Sequence, residues 1–174
     1  MKNSQGFSLI EVLVTLVLTT VGVLGMVAMQ TKAIQYTNDS VTHTKAVLAV
    51  DDLIEILRSN RDKIYNSKNG IQEDSKYFKA AGEAFSDLTC DTYSGFAGAN
   101  TPEKQLCVWV KFAQASLPGV TNEVLKNNFT IVPTVDEDDT VNEVEISIAW
   151  AVKVGECPNA LEAELCSYTV AVEI

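Results

Sequence analysis

The stretch Phe7–Val27, FSLIEVLVTLVLTTVGVLGMV, decides how the amino-terminal part of the chain folds. As an α-helix its 21 residues would span about 30 Å, which matches the hydrocarbon core of a bilayer. Glu11 is its only charged residue. An acidic side chain costs about 2.5 to 3.5 kcal/mol at the centre of a membrane helix and less toward its ends. The stretch therefore predicts one spanning helix, with a carboxylate whose presence needs a reason.

A cleaved secretory signal is the main alternative for this stretch. Such a signal has a charge-free apolar core of about 7 to 15 residues, followed by a small-x-small cleavage site. The run here is longer and contains Glu11, and its candidate cleavage region, MVAM at 26–29, fits that pattern poorly. We therefore favour a retained membrane helix.

The residues before the run, MKNSQG, are polar and carry one charge, at Lys2, which favours a cytoplasmic location for this end. The polar leader, the Gly6–Phe7 junction and Glu11 just beyond it together resemble the class III leader of type IV prepilins. The resemblance implies that a prepilin peptidase cuts between Gly6 and Phe7 and that Phe7 becomes the N-methylated first residue. It also implies that Glu11 meets the amino terminus of a neighbouring subunit during filament assembly.

The assembly role of Glu11 agrees with elementary electrostatics. A carboxylate in an apolar helix bundle needs a cationic or hydrogen-bonding partner, and a neighbouring terminal amine could neutralise it. The simpler alternative is that Glu11 snorkels to the cytoplasmic headgroups, since it lies about one turn from the start of the helix. Snorkelling leaves the leader unexplained, so we favour the assembly role.

Charge and cysteine content restrict the function of the rest of the chain, which is long enough for one domain of about 100 residues. The formal net charge is −10, and removal of Lys2 with the leader makes it −11, which disfavours nucleic acid as a partner. Four cysteines follow the membrane run, where an oxidising periplasm allows disulfides. Three pairings are possible. The short separation of Cys157 and Cys166 favours a local bridge between them, which leaves Cys90 with Cys107.

A second helical segment follows the membrane run and is predicted to extend over 30–66. Its apolar residues share one stripe, formed by Val47, Val50, Ile54, Leu57 and Ile64 with Leu53 beside them. This pattern predicts an amphipathic helix against an apolar surface, and YTNDSVTHT at 36–44 is a weaker helical stretch that could kink. Resemblance to major pilins would place a proline near the end of this segment, but none occurs before Pro102. That departure argues against a major pilin.

The remaining sequence predicts a surface excursion, a short helix and a sheet. Residues 67–101 have loop chemistry, and the segment 101–119 has Thr101 as N-cap, Pro102 at the first helical position and a stop at Pro118-Gly119. The alternation in CVWVKF at 107–112 is a competing signal for a strand, but we favour the helix. Alternating apolar residues at 128–135, 143–154 and 167–174 predict a three-stranded antiparallel meander. Pro133 would place the first strand at an edge. The predicted fold class is α+β and pilin-like, with the amphipathic helix on the sheet and with Trp109 and Trp150 in the core.

Catalytic or metal-binding chemistry is not indicated. His43 is the sole histidine, lies in the helical linker and has no positioned partner, so we expect an ordinary exposed residue. The acidic run Asp136, Glu137, Asp138 and Asp139 could hold calcium, but it lacks the glycine and trailing glutamate of a calcium-binding loop. We interpret it as a solvated turn. No enzyme activity, cofactor or metal is therefore expected.

The predicted organisation is a leader at 1–6, a transmembrane helix at 7–29, the amphipathic helix at 30–66 and an α+β domain at 67–174. Beyond the leader the chain resembles PilV-type minor pilins in the LPG at 117–119, the strand ending at Trp150 and the β-rich carboxyl-terminal part. This implies a subunit that primes or modifies type IV pili used in adhesion and twitching motility. The implied partners are prepilin peptidase and other major and minor pilins, and any surface receptor is unidentified.

The implied location is the inner membrane, with the domain in the periplasm, and then the pilus at the cell surface. Two alternatives remain open. A minor pseudopilin of type II secretion would share the leader and Glu11, and would differ mainly in its partners. A membrane-tethered periplasmic binding module or adhesin would never enter a filament, and would not need prepilin peptidase.

Overall fold

The computed structural model describes residues 8–66, 70–72, 74–86, 89–90, 98–135, 141–153, 157, 160–162 and 164–174. Two compact units are present, residues 1–41 and residues 42–174. The first contains the apolar run, and the second contains every described strand and the shorter helices.

Helix α1 extends over Leu9–Ser59 and remains helical through 36–44, the stretch where a kink was considered. It ends before the predicted boundary at 66, because the backbone tightens after Leu57. The N–H of Asn60 bonds to the carbonyl oxygen of Leu57 at 3.1 Å, and a 3₁₀ helix follows over Arg61–Lys63. The side chain of Asn60 also donates to the carbonyl oxygen of Ile56 at 2.9 Å. This bond satisfies one of the carbonyls left open where the helix ends.

The face that α1 buries in the second unit differs in part from the predicted stripe. The fully buried positions are Ala46, Ala49, Val50, Leu53 and Leu57, whereas the predicted Val47 and Ile54 are half-buried. Alanine side chains let neighbouring groups approach the helix backbone closely. The buried face therefore includes small residues that a search for large apolar side chains does not detect.

The main sheet has the strand order β3-β4-β6-β5, and all neighbours are antiparallel. Its strands are β3 at Thr130–Val135, β4 at Val141–Ala151, β5 at Ala160–Glu162 and β6 at Leu165–Glu173. A separate hairpin pairs β1, Tyr65–Asn66, with β2, Gly70–Ile71. The predicted meander is confirmed as β3, β4 and β6. The short β5 adds an edge strand in the segment expected to be only a local loop.

Pro133 lies in an edge strand, as predicted, and the register explains why it is tolerated. Lys79 and Ile131 exchange backbone hydrogen bonds of 2.8 and 2.9 Å on the side of β3 that faces away from β4. Backbone groups alternate in direction along a strand, so the nitrogen of Pro133 also faces away from β4. Its missing N–H therefore removes no bond from the β3–β4 ladder.

Helix α2 extends over Pro102–Ser116, and the hydroxyl of Thr101 accepts a hydrogen bond from the N–H of Lys104 at 3.4 Å. The predicted helix, its cap and the proline at its start are confirmed. Helix α3, Asn122–Asn128, was not predicted. Its seven residues are too few for a helical hydrophobic period to be visible.

The core of the second unit joins α1, α2 and the inner face of the sheet. Trp109 and Trp150 are buried, as predicted, and Phe129 and Phe85 pack edgewise or tilted against Trp109. On β4 the inward residues Val144, Ile146, Ile148 and Trp150 are all buried. This confirms the α+β pilin-like architecture.

The surface excursion predicted over 67–101 is wrong for part of its described residues, because Tyr77, Lys79 and Phe85 are buried. The ammonium of Lys79 donates to three carbonyl oxygens, those of Ala80 at 3.2 Å, Lys126 at 2.9 Å and Phe129 at 2.6 Å. A buried lysine is tolerated when all its donors are satisfied in this way. Burial lowers the pKa of Lys79 to about 8.

Candidate functional site

The candidate site is the start of α1, where Glu11 stands in the first turn. The carbonyl oxygen of Ser8 accepts hydrogen bonds from the N–H groups of Glu11 at 3.0 Å and Val12 at 3.3 Å. Helix amino termini carry partial positive charge, so a carboxylate in the first turn stabilises the helix. Gly6 and Phe7, the predicted processing and methylation positions, lie outside the described residues.

Ser8 and Glu11 also have the spacing of a local capping motif, which was not among the sequence predictions although it depends on spacing alone. Ser8 directly precedes the helix, and a serine followed three residues later by glutamate is the capping-box pattern. In that motif the glutamate side chain can return to the backbone N–H of the cap residue. Glu11 therefore fits a local role in starting α1, besides any role between subunits.

The apolar run within α1 has the properties of a membrane span. A window of 18 residues in this helix has a mean hydropathy of 2.4, and none of it is buried within the protein. The hydroxyl groups of Thr15, Thr19 and Thr20 donate to helix carbonyls at 2.8 to 3.0 Å, so these polar groups are satisfied within the helix. The run can therefore lie in lipid without unsatisfied hydroxyl groups, and this part of α1 is long and apolar enough to cross a membrane.

Glu11 has no cationic neighbour along its own helix. The next charged residue toward the carboxyl end is Lys32, about 32 Å away at the helical rise per residue. The Glu11 side chain is exposed in the single chain. A compensating positive charge at this depth must therefore come from outside the described helix.

The four cysteines form two disulfides, which confirms disulfide bonding of the domain. Cys90 is bonded to Cys107 with a Cα separation of 6.0 Å, and Cys157 to Cys166 with a Cα separation of 5.7 Å. The first attaches the segment before α2 to that helix, and the second fastens the β5–β6 hairpin. These are the two pairs that sequence separation favoured.

The other candidate residues do not form a reactive site. His43 is exposed, but its ring makes edge contacts with Trp150 and Tyr168, at centroid distances of 6.0 and 5.7 Å. Within the described residues, no three His, Cys, Asp or Glu side chains come together to hold a metal. The acidic run Asp136–Asp139 lies outside the described part of the chain.

Residues 1–27 match the family model of the prokaryotic N-terminal methylation motif. The match includes the leader, the Gly6–Phe7 junction and the first part of α1. Comparison with curated proteins and with solved structures gives no significant match.

The motif and the architecture together support a type IV pilin-like or pseudopilin-like protein. A leader of this kind implies processing by prepilin peptidase and assembly with other pilins, and the long apolar helix is consistent with an inner-membrane anchor. These properties are those of a structural subunit.

Proposed function

We propose that this protein is a minor pilin that primes or modifies type IV pili. In this proposal the prepilin peptidase removes residues 1–6 and methylates Phe7. The mature chain is anchored in the inner membrane, with residues 42–174 in the periplasm, until it is assembled into the pilus. The observation that carries the proposal is the methylation motif at 1–27, directly joined to the long apolar helix α1.

The choice of a minor subunit is supported by two features of the chain. Helix α1 has no proline over its whole length, unlike the pattern that resemblance to major pilins implies. The second feature is the resemblance of the sequence to PilV-type minor pilins, in the LPG at 117–119 and the strand predicted to end at Trp150. Gly119 has a φ of +65°, and an added Cβ there would lie 2.3 Å from the Cβ of Ala151. Glycine at this position is thus required by close packing of the helix end on β4.

Glu11 is the residue to which we assign the assembly role. Along the described part of α1 no cationic side chain lies near it, and a carboxylate in lipid is strongly stabilised by a cationic partner. The terminal amine of Phe7 on an adjacent subunit would supply the missing positive charge. This pairing would favour filament entry over free diffusion in the membrane.

The test is to locate the processed chain after pili are sheared from cells. A minor pilin should be recovered in the sheared filament fraction, at a level far below that of the main subunit, and this recovery should require prepilin peptidase. A chain found only in membranes, with its leader intact, would refute the proposal and support a tethered binding module. The remaining alternative is a minor pseudopilin of type II secretion, and deletion of the gene distinguishes it from a minor pilin. Loss of a pseudopilin would impair protein secretion and leave piliation intact.

A further inference from the structure

The outer edge of β6 has a backbone direction that the register determines. The N–H of Val152 donates to the carbonyl oxygen of Glu164 at 2.8 Å, and this pair continues the β4–β6 register. In an antiparallel ladder, pairs that exchange hydrogen bonds alternate with pairs whose backbone groups face outward. Odd-numbered residues of β6 therefore direct their N–H and C=O groups away from β4. The hydroxyls of Ser147 and Thr169, 2.9 Å apart, are consistent with a close, non-hydrogen-bonded pair.

The short strand β5 covers only the beginning of this edge. It pairs with Leu165 and Cys166, and the Cys157–Cys166 disulfide holds the preceding connection at the same end. Farther along, the outward backbone groups of Thr169 and Ala171 have no hydrogen-bond partner among the described residues. At the far end, the carbonyl oxygen of Glu173 lies 3.5 Å from Nη2 of Arg58.

The part of β6 beyond β5, beside which no described strand lies, lacks the features by which proteins usually block strand edges. It contains no proline or lysine, and its only charged residue is Glu173. The opposite edge strand β3, in contrast, carries Pro133 and is partly covered by Lys79. An open strand rich in β-branched residues is a ready template for another strand.

Side chains beside this edge add apolar contact sites. Val170 and Val172 pack against the core from the inner face of the sheet but remain half-exposed, as does Tyr168. A strand added beside β6 would place alternate side chains on this same inner face. Apolar residues at alternate positions of such a strand would cover the two valines.

Two arginines define the charge at the Glu173 end of the edge. Arg58 and Arg61 are both exposed, and the guanidinium of Arg61 lies 4.9 Å from the ring centre of Tyr65. Arg61, Tyr65, Glu173 and Ile174 line one open cleft there. An incoming acidic side chain would find two arginines at this point against the single carboxylate of Glu173 on β6, although the protein as a whole is acidic.

We propose that the outer edge of β6 binds an extended strand of another polypeptide by β-strand addition. The partner strand would have apolar residues at alternate positions and an acidic residue near its amino-terminal end, which antiparallel pairing brings to Arg58 and Arg61. This inference concerns the domain at 42–174 and stands apart from the choice between pilus and secretion filament.

A second copy of this chain fits the edge less well. Each chain carries a formal net charge of −10, so two copies repel each other.

The experiment measures binding of a fluorescein-labelled probe peptide to the full chain in lipid nanodiscs by fluorescence anisotropy. The probe alternates valine and threonine and has a glutamate at its amino-terminal end, and the control peptide has proline at alternate positions. We expect saturable binding of the probe and none of the control. Ala171→Pro should weaken binding at least tenfold, because it removes one outward N–H without removing a β4–β6 bond. Ala171→Thr retains that N–H and should bind like the unchanged chain.

Hydrogen exchange provides a measurement that needs no variant. The amides of Thr169 and Ala171 in the unchanged chain should exchange more slowly when the probe is bound. Absence of saturable probe binding, or equal binding by Ala171→Pro and the unchanged chain, would overturn the proposal. It would also be overturned if the chain alone formed dimers that Ala171→Pro abolished, because the occupant would then be a second copy.

Discussion

The indole Nε1 of Trp109 donates a hydrogen bond of 2.6 Å to the carbonyl oxygen of Ala49 and thereby connects α2 to α1 across 60 positions of sequence. Both residues are buried, and Ala46 is buried beside them. The small side chains let the indole reach the helix backbone. This bond, with the packing around it, holds the two helices of the domain together.

Trp109→Phe should lower the free energy of unfolding by about 1 kcal/mol for the lost hydrogen bond, with a further loss for the space left by the smaller ring. Denaturant unfolding of the chain in detergent, followed by circular dichroism, measures this. Phe112→Ala is the matched control on the same helix, since Phe112 is 48% exposed. Its effect should remain within about 0.5 kcal/mol. Equal losses in the two variants would contradict the role assigned to Trp109.

Processing at the Gly6–Phe7 junction is the second prediction. Mass spectrometry of the protein from cell envelopes should find residues 1–6 removed and one methyl group on Phe7. Gly6→Arg should leave the leader attached, because a large charged side chain would replace the glycine that precedes the cut. An intact Met1 on the unchanged chain, or a cut near Ala28, would refute a prepilin leader.

The charge of Glu11 is the subject of the third prediction. Glu11→Ala should insert into the membrane normally, since the segment becomes more apolar, but should be depleted from sheared pili. Glu11→Gln separates the two roles of this residue, because glutamine can still complete a capping box but cannot neutralise an amine. We expect Glu11→Gln to be depleted as strongly as Glu11→Ala. Normal incorporation of the glutamine variant would leave only the local role in starting α1.

Disulfide bonding gives the fourth prediction. The protein isolated from an oxidising compartment, denatured but not reduced, should react with no thiol reagent, because the described structure pairs all four cysteines. Replacing Cys157 and Cys166 together by serine should reduce the free energy of unfolding by about 2 to 4 kcal/mol. The Cys90 and Cys107 double variant serves as the comparison. Labelling of two or more cysteines in the unchanged protein would contradict this pairing.

Lys79 gives the fifth prediction, a dependence of stability on pH. Burial lowers its pKa from 10.5 to about 8 in the folded chain, so the unfolded chain binds more protons between these values. The contribution of Lys79 to stability should therefore rise as the pH increases from about 8.

Tyr77 acts in the opposite direction at higher pH. Burial is the main cause that raises its pKa from 10.0 to about 12, with further contributions from Asp62 and Glu103, so stability should fall once its unfolded form ionises.

The measurement for Lys79 is denaturant unfolding between pH 7.5 and pH 9.5, a range that lies below the ordinary pKa of Tyr77. Lys79→Met has similar length and no charge. It should be less stable overall, because three carbonyl oxygens lose their donor, and its stability should no longer rise over this range. An unchanged slope in Lys79→Met would assign the pH dependence to other groups.

Local patterns were sufficient to predict the elements whose reasons lie within a few neighbouring residues. The apolar run, the Thr101-Pro102 helix start and the alternating strands each depend on spacing along the chain, so their types were predicted correctly. The edge position of Pro133 was predicted for the same kind of reason. Proline has no N–H to donate to a neighbouring strand, so within a sheet it is found mainly in edge strands. The methylation motif at 1–27 was likewise recognisable from order and spacing alone.

The packing partners could be found only from the tertiary structure, because each depends on residues distant in sequence. Lys79 is buried because its ammonium donates to the carbonyl oxygens of Lys126 and Phe129. No sequence pattern around residue 79 indicates that these acceptors lie nearby. Ala46 and Ala49 became core residues because the indole of Trp109 needs a close approach to α1. The open edge of β6 likewise results from the early end of β5 and from strand register. Long-range contacts assign these roles because burial and hydrogen bonding depend on neighbours in space, whereas a local pattern records only neighbours along the chain.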